Sequence, residues 1–304
     1  MKTPFSFDPH NRRLTVIKGG PGSERDVSIR SGTSVANALR SLGGLVTEIE
    51  VKGREVAIPK GSELVFNLIH GTFGEDGEVQ DLLDGQCVPY TGEGAAESRV
   101  AFHKILTKKA LEKAGVPTPK WEVLKAGEHP SLSLPMVIKA PCQGSSVGVH
   151  LVREPAQIAH AIADCLLHGD EILVEEMVFG RELTVGILGR EALPIVEIRP
   201  RDGFYDYANK YTAGATEYLV PAPLSTEETA TVQAIALAAN DALDLKVYCR
   251  VDLLLSATGP TVLEINTIPG MTETSLLPKA AAASGLDFAA LCCRIASLSL
   301  NVRS

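Results

Sequence analysis

Near the end of the chain the sequence reads Cys249-Arg250-Val251-Asp252-Leu253-Leu254-Leu255, then a Gly259-Pro260 turn, then Thr261-Val262-Leu263-Glu264-Ile265-Asn266-Thr267-Ile268-Pro269-Gly270-Met271. Two apolar runs separated by turn residues predict adjacent antiparallel strands. Side chains alternate along a strand, so Arg250 and Asp252 share one face, and Glu264 and Asn266 share one face of the partner. If the two faces coincide, one surface carries two carboxylates, an amide and a guanidinium. Hard oxygen donors of this kind suit Mg²⁺, which takes one or two protein carboxylates and completes its shell with water and substrate phosphates. The hairpin therefore predicts an enzyme that handles a nucleotide.

The rest of the composition agrees with a small-molecule enzyme. A chain of 304 residues accommodates two or three compact units, and 45% hydrophobic residues supply a core. A formal charge of −8 without clustered Lys and Arg argues against a nucleic-acid surface. The first residues lack the apolar stretch of a signal peptide, and no apolar run is long enough for a membrane span, so a cytoplasmic protein is expected. The six cysteines show no C-x-x-C and no paired His spacing, which predicts reduced, mostly buried thiols rather than zinc or a disulfide framework.

Read from the N-terminus, residues 14–17 form a strand that runs into Gly19-Gly20-Pro21-Gly22-Ser23, followed by a helix over 26–42. Strands follow at 45–51 and 64–69. The latter ends in His70-Gly71-Thr72-Phe73-Gly74-Glu75-Asp76-Gly77; then come a short helix and a strand at 88–90. Alternating strands and helices imply a mostly parallel sheet, with ligands beyond the carboxyl ends of its strands. A single helix over 99–114 leads through Gly115-Val116-Pro117-Thr118-Pro119 into a second unit. It has strands at 136–139, 149–152, 171–175 and 182–188 and a helix over 155–167. The third begins near Leu193, carries a long polar loop over 201–218, and resumes with a helix at the capping box Ser225-x-x-Glu228. A last helix is expected near 288–298. The fold class is α/β, turning α+β in the central and C-terminal parts.

No P-loop sequence occurs, and the nearest approach to a dinucleotide fingerprint, Gly92-Glu93-Gly94-Ala95-Ala96-Glu97, ends in glutamate. What remains is the small-residue loop Gly144-Ser145-Ser146-Val147-Gly148 after a strand-borne Lys139. Backbone N–H groups and a lysine charge can wrap a triphosphate without a helix terminus.

Five blocks, GPGSERDVS from Gly20, HGTFGEDG from His70, KAPCQGSSVGV from Lys139, YDYANKY from Tyr205, and Arg250-Val251-Asp252 with EINTIPGMTETS from Glu264, resemble the signature blocks of D-alanine–D-alanine ligases, members of the ATP-grasp fold. The resemblance covers nearly the whole chain in the family's order. It implies three domains, an N-terminal α/β domain (1–98), a central ATP-grasp domain (99–189) and a C-terminal catalytic domain (190–304), and a homodimer. It also implies ATP and two Mg²⁺ ions as cofactors, D-alanine as substrate, and a place in peptidoglycan precursor synthesis.

The family's roles map residue by residue. Glu24 would hold the ammonium of the first D-alanine, and Ser145 and Tyr211 would join it in a trio that locks a loop over the site and keeps water from an acyl phosphate. Lys104, Lys139 and Ser146 would face the ATP phosphates, Lys210 the γ-phosphate, and Glu175 and Glu182 the adenine and ribose. Asp252, Glu264 and Asn266 would hold the metal ions. Arg250 and backbone N–H around Gly270 would stabilise the tetrahedral oxyanion. Ser275 and Leu276 would receive the second substrate's carboxylate, with His70 near the same site. Tyr211 favours a dipeptide over a depsipeptide, because relatives that accept D-lactate tend to replace it.

Departures from the family pattern fall at Asp81, His103 and Ala140 and, near the expected domain junction, at Glu93, Glu97 and Arg99. They leave open a related carboxylate–amine ligase with another second substrate. A catalytically silent nucleotide-binding relative is the other alternative, although the retained metal ligands argue against it.

Overall fold

The computed structural model describes residues 7–144, 147–200 and 216–303. Ser145, Ser146, Lys210 and Tyr211, and most of the 201–218 loop, lie outside the described residues. Its last residues do not belong to a loop, because Thr216–Leu219 pairs as a strand.

The first sheet is parallel, in the order β2-β1-β3, from β1 (Arg13–Gly19), β2 (Leu45–Val51) and β3 (Leu64–Asn67). β1 lies at the centre and is almost wholly buried, as a parallel strand covered on both faces must be. Helix α1 (Arg25–Ser41) packs on it through Ser28, Ser31, Gly32, Val35, Ala36 and Leu39, which recur at helical spacing. Between strand and helix the chain turns at Gly19 and Gly20, both at φ near +90°, a conformation that glycine adopts without a Cβ clash. Ser28 pins the turn: its Oγ accepts the Gly19 N–H at 2.8 Å and donates to Leu68 O at 2.6 Å. The carboxyl ends of β1 and β3 are thereby drawn together, with Glu24 and His70 just beyond them.

Helix α2 (Glu78–Gly85) follows. The strand expected at 88–90 is reduced to one bridge, Tyr90 to Val65. The single helix expected over 99–114 is two, α3 (Ala95–Phe102) and α4 (Lys104–Lys113), with His103 extended between them at ψ 99°. The Lys104 N–H leaves the helical ladder to donate to Pro141 O at 3.0 Å, and this external partner makes the break.

A second sheet, β4-β7-β5-β6, is antiparallel and comprises β4 (Trp121–Lys125), β5 (Met136–Lys139), β6 (Val149–Val152) and β7 (Glu171–Glu176). Helix α5 (Ile158–Cys165), flanked by single 3₁₀ turns, covers one face through Met136, Ile138, Val174 and Ala161. Alternation sends Val137, Lys139 and Glu175 to the other face.

The third sheet runs β11-β10-β8-β12-β13, with β9 on β8. Its strands are β8 (Arg181–Leu188), β9 (Glu191–Ala192), β10 (Val196–Pro200), β11 (Thr216–Leu219), β12 (Tyr248–Ser256) and β13 (Gly259–Asn266). Helix α6 (Thr226–Ala242) starts at the expected capping box, where Ser225 Oγ accepts Glu228 N–H at 3.1 Å and Glu228 Oε2 accepts Ser225 N–H at 2.8 Å. It buries Val232, Ala236 and Ala239 against Val185, Val251 and Val262. Helices α7 (Leu276–Ala283) and α8 (Phe288–Arg303) pack into the core that also holds Leu14, Val35 and Leu39, so the end of the chain closes on the first sheet. All six thiols are free; Cys165, Cys249 and Cys292 are buried and Cys87 is exposed. Among the described residues no single helix is long and apolar enough to cross a membrane.

Two departures from the family pattern answer each other: Asp81 and Arg99 form an exposed ion pair. Glu93 has a structural task. Its buried carboxylate accepts the backbone N–H groups of Lys246, Val247 and Tyr248 at the start of β12. Arg303 donates to the Gly92 and Glu93 carbonyls, with its guanidinium 3.7 Å from the Tyr90 ring centroid. Glu93→Ala strips three buried donors of their acceptor and should destabilise the protein by about 3 kcal/mol, read as a lower urea midpoint. Glu93→Gln, which keeps one acceptor oxygen, should fall between the two.

Candidate active site

Strands β12 and β13 build the centre of the site. Arg250 lies opposite Asn266 and Asp252 opposite Glu264. Directly opposed residues share a face, so the four groups form one polar surface. The register shifts between Asp252 and Leu253, where Leu263 is the extra residue of a β-bulge. Without it, the alternation that buries Val262 would turn Glu264 into the core. With it, Val262 and Ile265 are buried while Glu264 and Asn266 face outward.

Arg250 grips Asp252 through two parallel bonds, Nε to Oδ1 at 2.9 Å and Nη2 to Oδ2 at 2.8 Å. Thr184, opposite Asp252 on β8, donates to Oδ1 at 2.5 Å. The carboxylate and guanidinium are thus fixed in one plane. Lys104 lies 3.7 Å from Glu264 and donates to Gln143 O at 2.6 Å.

Two cavities meet at this surface, with Lys104, Gln143, Leu263 and Glu264 bordering both. The smaller, about 540 Å³, lies under the first sheet's loops and is lined by Glu24, His70, Glu75, Arg250, Asn266, Gly270, Ser275 and Leu276. The larger, about 750 Å³, separates the second and third sheets and is lined by Lys139, Glu175, Met177, Phe179, Glu182 and Asp252. The site residues expected from sequence therefore divide between two adjoining chambers, the metal-ligand candidates at the join.

In the smaller chamber Glu24 sits between two glycines. A Cβ at Gly71, which is at φ +67°, would come within 2.8 Å of its Oε2, and one at Gly144 would collide with it. The loop that carries Ser145 and Ser146 thus reaches Glu24 at Gly144. His70 is buried and both ring nitrogens are engaged, Nδ1 with Ile268 O at 2.8 Å and Nε2 with Ser31 Oγ at 3.0 Å. Ser31 also accepts the Met271 N–H at 3.1 Å. His70 consequently ties α1 to the segment that follows β13. Burial pushes its imidazole below the ordinary value. Burial, reinforced by the Glu24 charge, pushes the Glu75 carboxyl up to about 8. The two side chains, 3.9 Å apart, are therefore neutral neighbours at pH 7. Ser275 precedes α7; its Oγ accepts the Thr272 N–H at 3.1 Å and lies 2.8 Å from Thr272 Oγ1. Leu276 is the first residue of that helix.

In the larger chamber Glu175 is fully buried and forms ion pairs with both Lys139 and Lys108. Burial opposes its charge, but the two ammonium groups outweigh this and hold the carboxyl below its ordinary value. Its carboxylate is thus engaged by lysines, a partnership that the adenine-side expectation for Glu175 did not include.

Four side chains escaped the sequence reading. Thr184 gave no signal by itself. Ser31 and Glu75 lay inside quoted or helical stretches but went unassigned. Lys108 left a legible trace, since it repeats on α4 at the spacing of the buried Ile105 and Leu111. Among the described residues no cluster of three His, Cys, Asp or Glu side chains forms a metal cage. Two carboxylates and an amide beside an open chamber are what Mg²⁺ requires when substrate phosphates complete its shell, so the donor set fits.

Comparison with known proteins identifies the family and the fold. The family model described as D-ala D-ala ligase C-terminus matches residues 107–297. The D-alanine–D-alanine ligase of Methylacidiphilum infernorum is 47% identical, over 95% of this chain and 95% of its own length. That of Desulforudis audaxviator is 44% identical, over 91% and 95%. The crystal structure of the Bacillus anthracis D-alanine–D-alanine ligase complexed with ATP superposes with a TM-score of 0.86 at 33% identity, covering 97% of this chain and 98% of that one. With well over half of its residues inside the family model and relatives this similar along nearly its whole length, the chain belongs to the D-alanine–D-alanine ligase family.

Proposed function

We propose that this chain joins two D-alanines into D-alanyl-D-alanine, with ATP converted to ADP and phosphate, as a step in making peptidoglycan precursors. The observation that carries the reading is the β12–β13 register, which turns Arg250, Asp252, Glu264 and Asn266 toward the join of the two chambers. ATP occupies the larger chamber and the two amino acids the smaller, so that the γ-phosphate meets the first D-alanine at the join. A carboxylate oxygen of that D-alanine attacks the γ-phosphorus, the bond to ADP breaks, and an acyl phosphate results. The amine of the second D-alanine attacks the acyl carbon, phosphate departs with the carboxylate's oxygen, and the amine's proton is lost.

The side chains have distinct tasks in this scheme. Glu24 receives the ammonium of the first D-alanine; the protonated Glu75 beside it adds no second negative charge at neutral pH. Lys104 and Lys139 meet the phosphates, with Ser146 and Lys210 assigned to the same group. Ser145 and Tyr211 close the loop on Glu24 and exclude water from the acyl phosphate. Arg250, held planar by Asp252, faces the oxyanion together with backbone N–H near Gly270. Ser275 and Leu276 take the second carboxylate, with His70 holding their segment against α1; Glu182 faces the ribose. Asp252, Glu264 and Asn266 would hold Mg²⁺, which when bound neutralises charge on the transferring phosphoryl group. The division at 1–98, 99–189 and 190–304 belongs to the same proposal, although β8 pairs into the third sheet. So do a homodimeric assembly and a cytoplasmic location.

Phosphate release from ATP and Mg²⁺ should appear with D-alanine, match dipeptide formation, and be absent with L-alanine. Glu264→Ala should lower kcat by about 10³-fold or more, the several kcal/mol of charge stabilisation that a lost metal ligand forfeits. ATP binding without phosphate release on any amino acid would contradict the reading.

Stability should report Glu75 separately. Its folded-state pKa of about 8 lies above the 4.5 of an unperturbed carboxyl, so the folded state holds the proton more tightly. The contribution is complete below pH 4.5 and is lost as pH rises through 8, on the order of a few kcal/mol. Glu75→Gln mimics the protonated acid and should flatten the decline in urea midpoint between pH 5 and 8. An unchanged profile would show that Glu75 is ionised in the fold.

A further inference from the structure

One helical turn beyond Lys104, α4 carries a lysine that the proposed mechanism leaves unused. Lys108 is 1% exposed and lies on the helix side that buries Ile105 and Leu111. An ammonium so buried requires partners. It donates to Thr118 Oγ1 at 2.6 Å and forms an ion pair with Glu175; Thr118 Oγ1 donates in turn to Val262 O at 2.9 Å on the metal strand β13. Glu175 also pairs with Lys139. Glu175 and Lys139 line the larger chamber, and Lys108 does not. Three charges thus form a chain from the interior to the chamber wall, and its inner end is fastened to β13.

The order matters. A glutamate side chain has three rotatable bonds, and Lys139 alone fixes it at one point only. Lys108 supplies the second point from behind, and leaves the Glu175 carboxylate no alternative direction in which to pair. Without Lys108, a fully buried carboxylate would retain one counter-charge and would either follow Lys139 as it moves or take up a proton. In both cases Lys139 loses its fixed orientation toward the chamber.

We propose that Lys108 is a positioning residue for nucleotide binding: by clamping the Glu175 carboxylate from the interior, it holds the Lys139 ammonium in place on the chamber wall. The inference rests on the assignment of that chamber to ATP. It acts through another side chain, so its signature is a selective loss. The weakening falls on ATP and spares D-alanine, whose chamber the chain of charges does not line.

KM for ATP and for D-alanine, kcat, and equilibrium ATP binding distinguish the cases in wild type, Lys108→Met, Glu175→Gln and the double variant, with thermal unfolding as a check of fold. Lys108→Met should raise KM for ATP by about 10-fold or more, the scale at which partners behind a liganding group act, and leave KM for D-alanine within about two-fold. Adding Lys108→Met to Glu175→Gln should raise KM for ATP no further, because both changes act on one carboxylate. That comparison also serves if Lys108→Met alone fails to fold, since the double variant buries no unpaired carboxylate. Wild-type KM for ATP in Lys108→Met, equal losses for both substrates, or a further rise in the double variant would overturn the proposal. A wild-type protein that neither binds ATP nor releases phosphate would remove the functional reading itself; an active wild type with indifferent variants would remove only the role of Lys108.

Discussion

The constraint on which the site depends is the register of one hairpin. Opposing Asp252 to Glu264 and Arg250 to Asn266 collects four groups on a surface that no single strand could populate. The bulge at Leu263 makes that compatible with a buried core, because it shifts the phase of alternation within β13 and lets Val262 and Ile265 remain inside while Glu264 and Asn266 turn outward. β8 supports the arrangement from the other side: Thr184 fastens the Asp252 carboxylate, and Asp252 orients Arg250. The proposed oxyanion donor and a metal-ligand candidate are therefore positioned by the same contacts.

The remaining elements bring partners to this surface from three directions. The first sheet delivers Glu24 and His70 at strand ends joined by Ser28, and His70 is linked by way of Ser31 to the segment after β13. The break between α3 and α4 sets Lys104 at the join of the chambers, where its N–H answers Pro141 and its ammonium lies near Glu264. The second sheet presents Lys139 and Glu175 on the face that α5 leaves uncovered. Glu93 and Arg303 secure the start of β12, so the hairpin is fixed at a distance from its charges as well as beside them.

Much of this was legible in the sequence because period-two alternation and short polar blocks survive translation into three dimensions. The parallel first sheet, the hairpin and the capping box at Ser225 followed from local pattern, and family resemblance named Glu24, Lys139, Arg250 and Glu264 as site candidates. What escaped depended on contacts between distant segments. The helix break at His103 comes from Pro141, nearly forty positions away, and no proline or glycine marks it locally. The bulge at Leu263 leaves no composition signal in an apolar run. The place of Lys108 depends on Glu175 and Thr118, neither of which announces a buried cation. Asp81 and Arg99 stood out singly as departures, yet they form one exposed ion pair.

In the proposed reaction a carboxylate oxygen of the first D-alanine attacks phosphorus before the peptide bond forms. D-alanine labelled with ¹⁸O in its carboxyl group, turned over with unlabelled ATP, tests it by mass analysis of the products. One ¹⁸O atom should appear in each inorganic phosphate released and none in the nucleotide. Label in AMP, or unlabelled phosphate alongside dipeptide, would contradict it.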